Sequence, residues 1–216
     1  MILLSFTEYL IESDMGRKDP KSKTLHAFDM DEVLYHHDHD KVKVHVKDKS
    51  GKRVQSLNNQ EFNDHKLPAG HSYDFGEFRS SKIFKHSAKP IPKMINKLKA
   101  IHKNNKNVEI VTARSNMDSK KQFRNKLKGS GIDINKIHVR RAGETGEPNT
   151  AAAKHKVIHE LIKKHGYTKV HLYDDSHKNL EHFKALKDKH PDVEFHAHHV
   201  QHDPETGKVK ITTTKV

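Results

Sequence analysis

The sequence predicts an α/β fold in three layers: a Rossmann-like parallel sheet with helices on both faces and a small insertion after the first strand. Three observations carry this expectation. Apolar runs of strand length alternate with segments of helical spacing, the order that builds parallel βαβ units. Three of those runs end in polar residues: Asp29 and Asp31, then Thr112, then Asp174 and Asp175. The carboxyl ends of parallel strands share one edge, where open α/β sheets bind their ligands. Finally, residues 36–87 are polar, dotted with aromatics and without long periodicity, so they read as an insertion rather than another repeat.

Leu3, Leu4, Phe6, Leu10 and Ile11 recur at helical spacing. Residues 1–23 therefore read as a short amphipathic helix and a polar link from Met15 to Lys23. The apolar start is too short for a signal-peptide core or a membrane span, and Glu8 follows at once. The chain is expected to stay in the cytoplasm where it is made.

Thr24 to Leu34 is the apolar run that holds Asp29 and Asp31. On a strand of period two these carboxylates lean the same way. Two acids that close repel unless a cation or a proton lies between them. Taken alone, such a pair is a common strand-end turn, and its weight comes from the other strands. His36-His37-Asp38-His39-Asp40 could bind metal, but consecutive residues fit a solvated loop better. Val42, Val44 and Val46 alternate with polar residues, Asp48 to Gly51 is a turn, and Lys52 to Leu57 returns, giving a hairpin. From Asn58 to Ser87, with Phe62, Tyr73, Phe75 and Phe78, the chain makes a small cap over the site or a satellite cluster beside the sheet.

Pro90 and Pro92 open a helix with Met94, Ile95, Leu98 and Ile101 on one face. Asn107 to Arg114 is the next strand. Asn116 to Lys128 is a basic helix with Phe123 and Leu127 inward, stopped by Gly129-Ser130-Gly131. Lys136 to Arg140 is a third strand. Thr150 to His165 is a helix that buries Ala153, Val157, Ile158, Leu161 and Ile162 and ends at Gly166. Lys169 to Asp175 is a fourth strand, Asn179 to Lys189 its helix, and Val193 to Ala197 a fifth strand. Val209, Ile211 and Thr213 mark a terminal edge strand.

A length of 216 residues suits one domain carrying an insertion. With no Cys, disulfides and thiolate metal sites are excluded, and a reducing compartment is the natural reading. Lys and Arg total 41 against 28 for Asp and Glu, a net charge of +13. That balance favours a polyanion such as a nucleotide or nucleic acid, although lysines spread along the whole chain also serve solubility.

Four motifs, Phe28-Asp29-Met30-Asp31, Ile110-Val111-Thr112, Lys154 and Leu172-Tyr173-Asp174-Asp175, together resemble the haloacid dehalogenase (HAD-like) superfamily of phosphohydrolases. They fall in the family's order and on the matching elements, and the resemblance spans about Thr24 to Val200. It implies a magnesium-dependent phosphatase. Asp29 would be the nucleophile that forms an aspartyl-phosphate. Asp31 would protonate the leaving oxygen and then activate water. Thr112 and Lys154 would contact the phosphoryl group. Mg2+ would sit on Asp29, the Asp31 carbonyl and Asp174, with Asp175 holding one of its waters. Glu32-Val33 stands where the family often has Gly-Thr. Lys156 rivals Lys154, which is favoured because Lys156 directly precedes the core-facing Val157 and Ile158.

Arg114 is two residues from Thr112 and suits bidentate phosphate binding, with Arg140 and Arg141 at the neighbouring strand end. A structural ion pair with Asp118 or Glu144 is the alternative for Arg114. The chain is also similar to the phosphatase half of phage polynucleotide kinase–phosphatases, without a GxxxxGK[ST] kinase motif. That likeness implies a nucleotide or a nucleic-acid terminal phosphate as substrate, and the host cytoplasm as the setting of a phage-encoded chain. Two other classes stay open: a catalytically silent nucleic-acid-binding protein, and a metal binder built on His36, His37, His39 and the Phe195–His199 segment.

Overall fold

The computed structural model describes residues 22–37, 41–104, 106–145, 147 and 149–216. The amphipathic helix expected before the polar link lies outside the described residues. Thr24–Phe28 forms β1 at the middle of the main sheet. Leu25 and Ala27 belong to one core cluster and Phe28 to the other. Both faces of the strand are therefore covered, as a parallel sheet requires.

After β1 the chain makes an excursion. It consists of β2 (Tyr35–His37), β3 (Val44–Lys47), β4 (Arg53–Leu57), α1 (Asn59–Asp64), β5 (Ser72–Asp74), α2 (Gly76–Arg79), α3 (Ser81–Ser87) and β6 (Ala88–Pro90). β2 and β6 pair antiparallel from Tyr35–Pro90 to His37–Ala88, so the excursion leaves and rejoins the body at one stem. β3 lies between β4 and β5 in a separate three-stranded sheet. Residues Asn58 to Ser87, expected to be irregular, thus hold short regular pieces. None exceeds the 7 residues of Ser81–Ser87, too short for periodicity to show. Local caps hold them: the Asn58 side chain accepts from Glu61 N while Glu61 accepts from Asn58 N. The last piece, α3, packs on the body, where Phe84 meets Phe123 with ring centroids 5.3 Å apart.

Beyond the stem come α4 (Pro92–Lys103), β7 (Asn107–Thr112), α5 (Lys120–Gly129), β8 (His138–Arg141), a 3₁₀ turn (Ala142–Glu144) and α6 (Thr150–His165). β9 (Lys169–Asp174), α7 (His177–Lys184), β10 (Glu194–His202) and β11 (Val209–Lys215) complete the chain. The main sheet has six strands in the order β11-β10-β9-β1-β7-β8. Every pairing in it is parallel except β10 with β11. Met94, Ile95 and Leu98 of α4 join Phe123 and Leu127 of α5 in the core on one face. Val157, Ile158 and Leu161 of α6 join Phe183 of α7 on the other.

Several boundaries differ from expectation, two of them for clear local reasons. α5 starts at Lys120 rather than Asn116, because the Ser119 hydroxyl caps it by accepting from Gln122 N at 3.3 Å. β10 runs on to His202, because β11 pairs with it as far as His202–Val209. From β1 the chain moves outward through β7 and β8, then returns to add β9 and β10 on the opposite side. The order therefore reverses between β1 and β9, and the crevice at their carboxyl ends is the topological switch point.

Candidate functional site

β1 and β9 deliver their terminal acids to that crevice. Asp29 follows β1 directly, and its N–H donates to Tyr173 O of β9 at 2.9 Å, so the two strand ends stay in step. Asp174 ends β9 and Asp175 follows. One carboxylate oxygen from each of Asp29, Asp174 and Asp175 lies within 4.8 Å of the others. Lys154 reaches them from the second turn of α6, a helix fixed at its start by Asn149, whose side chain accepts from Ala152 N at 2.8 Å. Its Nζ lies 2.7 Å from Asp29 Oδ2 and 2.8 Å from Asp174 Oδ2, and the residue is 2 % exposed.

Two buried carboxylates and the half-buried Asp175 against one ammonium leave negative charge in excess. Burial, together with Asp174 and Asp31, raises Asp29 to about 7, and Lys154 offsets only part of this. Asp175 is raised well above the carboxylate range by burial and by Asp174 and Asp29. Burial opposes charge on Lys154, but Asp174 and Asp29 outweigh it and hold the ammonium protonated. Asp174 is oriented from its other oxygen: Oδ1 accepts from Ser176 N at 3.0 Å and from Asn179 Nδ2 at 2.9 Å.

Asp31 sits beside this cluster in a different environment. Arg114 grips it with Nε at 3.0 Å from Oδ2 and Nη2 at 2.7 Å from Oδ1. His37 Nε2 lies 2.9 Å from the same Oδ1. Burial alone would raise Asp31, but Arg114 first and His37 second hold it far below the usual carboxylate range. Asp31 is thus a held anion, whereas the sequence suggests a group that carries a proton to the leaving oxygen. Arg114 is tied to it. Its guanidinium, expected on phosphate or on Asp118 or Glu144, is committed to Asp31 and to Phe78 O, between the rings of Phe78 and Phe84 at 4.9 Å each.

The remaining candidates divide. Thr112 ends β7 at the same edge, but it is fully buried and its Oγ1 accepts from Arg114 N at 3.2 Å. The cavity beside it is lined instead by Ala113, Arg114 and Ser115. Lys156 turns away to Glu147 at 2.8 Å, which leaves Lys154 as the lysine of the cluster. Arg140 is spent inside the sheet on Glu109, with Nε 2.9 Å from Oε2 and both side chains almost wholly buried. The histidines of the metal-binding alternative lie at different places. His196 and His198 stack with His171 on one face of the sheet, while His199 bonds Asp175 O at 3.0 Å, and His39 lies outside the described residues.

Two residues of the site were not assigned to it from the sequence. His37, read from the sequence only as one of a His/Asp run, is placed by the fold against Asp31. Asn179 carried a readable signal, since Ser176-x-x-Asn179 after paired acids is a helix cap pointing back at them. A cavity of about 580 Å³ opens above the cluster. Asp29, Lys154 and Asp175 line one part of it, and Lys47, Tyr73 and Phe75 of the excursion line another.

Fold and site together define an α/β protein with a mostly parallel sheet and a lysine-bridged acidic cluster at its switch point. Compared with known proteins, the sequence matches no family model and no curated protein.

Proposed function

We propose that the protein is a HAD-like, magnesium-dependent phosphatase that works through an aspartyl-phosphate on a nucleotide or a nucleic-acid terminal phosphate. The observation behind this reading is that Asp29, Asp174 and Asp175, from strands distant in sequence, converge with Lys154 at one cavity. Three hard oxygen donors fit magnesium, and their raised proton affinities mark a charge excess that a divalent cation relieves. Asp29, Asp174 and Asp175 are the residues that would hold it. When bound, the ion supplies charge neutralisation for the phosphoryl oxygens and favours the ionised nucleophile.

The chain's own residues do the rest. The Asp29 carboxylate attacks phosphorus, the P–O bond to the leaving group breaks, and an aspartyl-phosphate forms. Lys154 balances the charge of the phosphoryl group on Asp29. Water then attacks phosphorus, Asp31 takes the proton of that water, and phosphate leaves with Asp29 restored. In the first step, an arriving phosphoryl group competes with Asp31 for Arg114, which loosens the clamp, so that Asp31 binds a proton from solvent and passes it to the leaving oxygen. Thr112 contributes through the backbone of the Arg114 turn.

The excursion is read as the small cap. Phe62, Tyr73 and Phe75 give the cavity wall aromatic faces suited to bases, and Lys47, Arg79 and Lys178 supply cations for a backbone. The test is hydrolysis of p-nitrophenyl phosphate with magnesium by the parent and by Asp29→Asn, followed by 3′- and 5′-phosphorylated oligonucleotides and mononucleotides. Turnover in the parent that falls by about 10,000-fold or more in the variant supports the reading. No turnover in the parent, with polyanion binding insensitive to EDTA, points to the catalytically silent binding protein instead.

A further inference from the structure

A second group of metal-ligating side chains lies beside the acidic cluster and takes no part in it. Glu32, His36 and His202 each present one ligand atom, all within 4.8 Å of one another. They come from two separate parts of the fold. Glu32 sits in the tight loop after β1, where Leu34 and Tyr35 N–H both donate to Met30 O. His36 lies on β2, and His202 closes β10. His36 Nδ1 is 2.8 Å from Glu32 Oε2, and the His36 and His202 rings are 5.3 Å apart. His202 Nδ1 is buried and has no hydrogen-bond partner among the described residues. A buried ring nitrogen left without a partner calls for a reason, and a bound ion is one.

We propose that Glu32, His36 and His202 form a site for a divalent transition-metal ion, with zinc as the fitting case. Two imidazoles and one carboxylate are a zinc donor set, and three protein ligands leave a fourth position for water. The same set does not suit magnesium, which takes oxygen donors in an octahedron. Burial and the neighbouring His36 keep His202 toward its neutral, ligating form. Binding exchanges the hydrogen bond between His36 Nδ1 and Glu32 for two metal bonds, and the ring stays a neutral ligand by losing the Nδ1 proton and taking one up at Nε2. Glu32 also accepts from His37 N at 3.1 Å, so the ion would tie the end of β10 to the loop that carries Asp31 and His37. The site stands on its own residues, whether or not the phosphatase reading holds.

The test is calorimetric titration of the EDTA-stripped full chain with zinc chloride, in excess magnesium so that hard oxygen sites are filled. One tight equivalent is expected. Glu32→Gln and His202→Ala should each weaken binding by more than about tenfold. His86→Gln, an exposed histidine elsewhere, and Asp174→Asn should leave it unchanged. Circular dichroism of the metal-free variants separates lost ligands from lost fold. Anomalous diffraction at the zinc edge on parent crystals needs no variant, and it should place the ion between Glu32, His36 and His202. Equal affinity in folded Glu32→Gln and His202→Ala, loss of the tight equivalent in Asp174→Asn, or a zinc peak elsewhere would overturn the proposal.

Discussion

Asp29 and Asp31 are two residues apart and meet opposite environments. Asp29 faces two other acids in a crevice at the sheet edge and is raised to about 7. Asp31 is held as an anion by Arg114 and His37. The sign for Asp29 follows from its reference value. A carboxyl whose folded value lies above its unfolded one stabilises the fold in its protonated form, and that stabilisation is lost as pH rises toward and through about 7. In metal-free protein at pH 8, Asp29→Asn should therefore be the more stable chain by about 1 kcal/mol, or about 2–4 °C in Tm. Magnesium should reverse that order, since only the parent keeps the full set of ligands. Lys154→Met should do the opposite. It strips the ammonium from buried carboxylates at a cost of about 3–5 kcal/mol, and differential scanning calorimetry should show a larger loss at pH 8 than at pH 6. Asp29, Asp174 and Lys154 could be placed from the sequence because each stands at a fixed point of a strand or helix pattern. The partner of Arg114 could not, because the clamp depends on how the turn after β7 lies against the loop after β1.

At the scale of elements, the β7–turn unit shows how backbone packing supports the site. A methyl group built on Gly143 would come 2.6 Å from Ala113 O and 2.9 Å from Ser115 N, on either side of Arg114. Only a bare Cα lets the 3₁₀ turn after β8 approach that closely. Gly143→Ala should cost about 1–3 kcal/mol, measured by urea unfolding. It should also weaken the Arg114–Asp31 pair, so that turnover in the proposed phosphatase reaction falls with stability. Wild-type stability in this variant would show that the turn moves freely and does not position Arg114. The order of strands and long helices was legible, because runs such as Asn107–Thr112 and Thr150–His165 are long enough to show their period. The excursion was legible only as a hairpin. Its later pieces are three to seven residues long and are held by caps and by Phe84, whose burial depends on a helix distant in sequence.

For the whole molecule, pH sensitivity is written into one face of the sheet. His26 of β1 stacks on His171 of β9 at 4.3 Å, and His171 bonds His198 of β10 at 2.9 Å. Burial first, and the neighbouring imidazoles second, lower His26 and His198 to about 3 and His171 to about 4. Each is neutral in the fold and would protonate near 6.5 when unfolded, so their contribution is intact above that value and drains away as pH falls from 6.5 toward 4. Asp29 and Asp175 pull the other way from about 4 upward, as two groups against three. The urea midpoint should therefore be lower at pH 5 than at pH 7.5, and an equal or higher midpoint would contradict this account of the histidine stack. The sequence exposed the histidine content but not the stack, since the parallel register that aligns Leu25, Val170 and Phe195 also sets these rings side by side.

The account rests on one divalent ion being shared by acids from β1 and β9. Manganese is a faithful substitute for magnesium at oxygen sites and scatters anomalously, so diffraction from crystals grown with manganese reads the question directly. The predicted result is a manganese peak ligated by Asp29 and Asp174, with Asp175 alongside, that disappears in Asp174→Asn. Ordered crystals with Lys154 still bridging Asp29 and Asp174 and no manganese between them would contradict it.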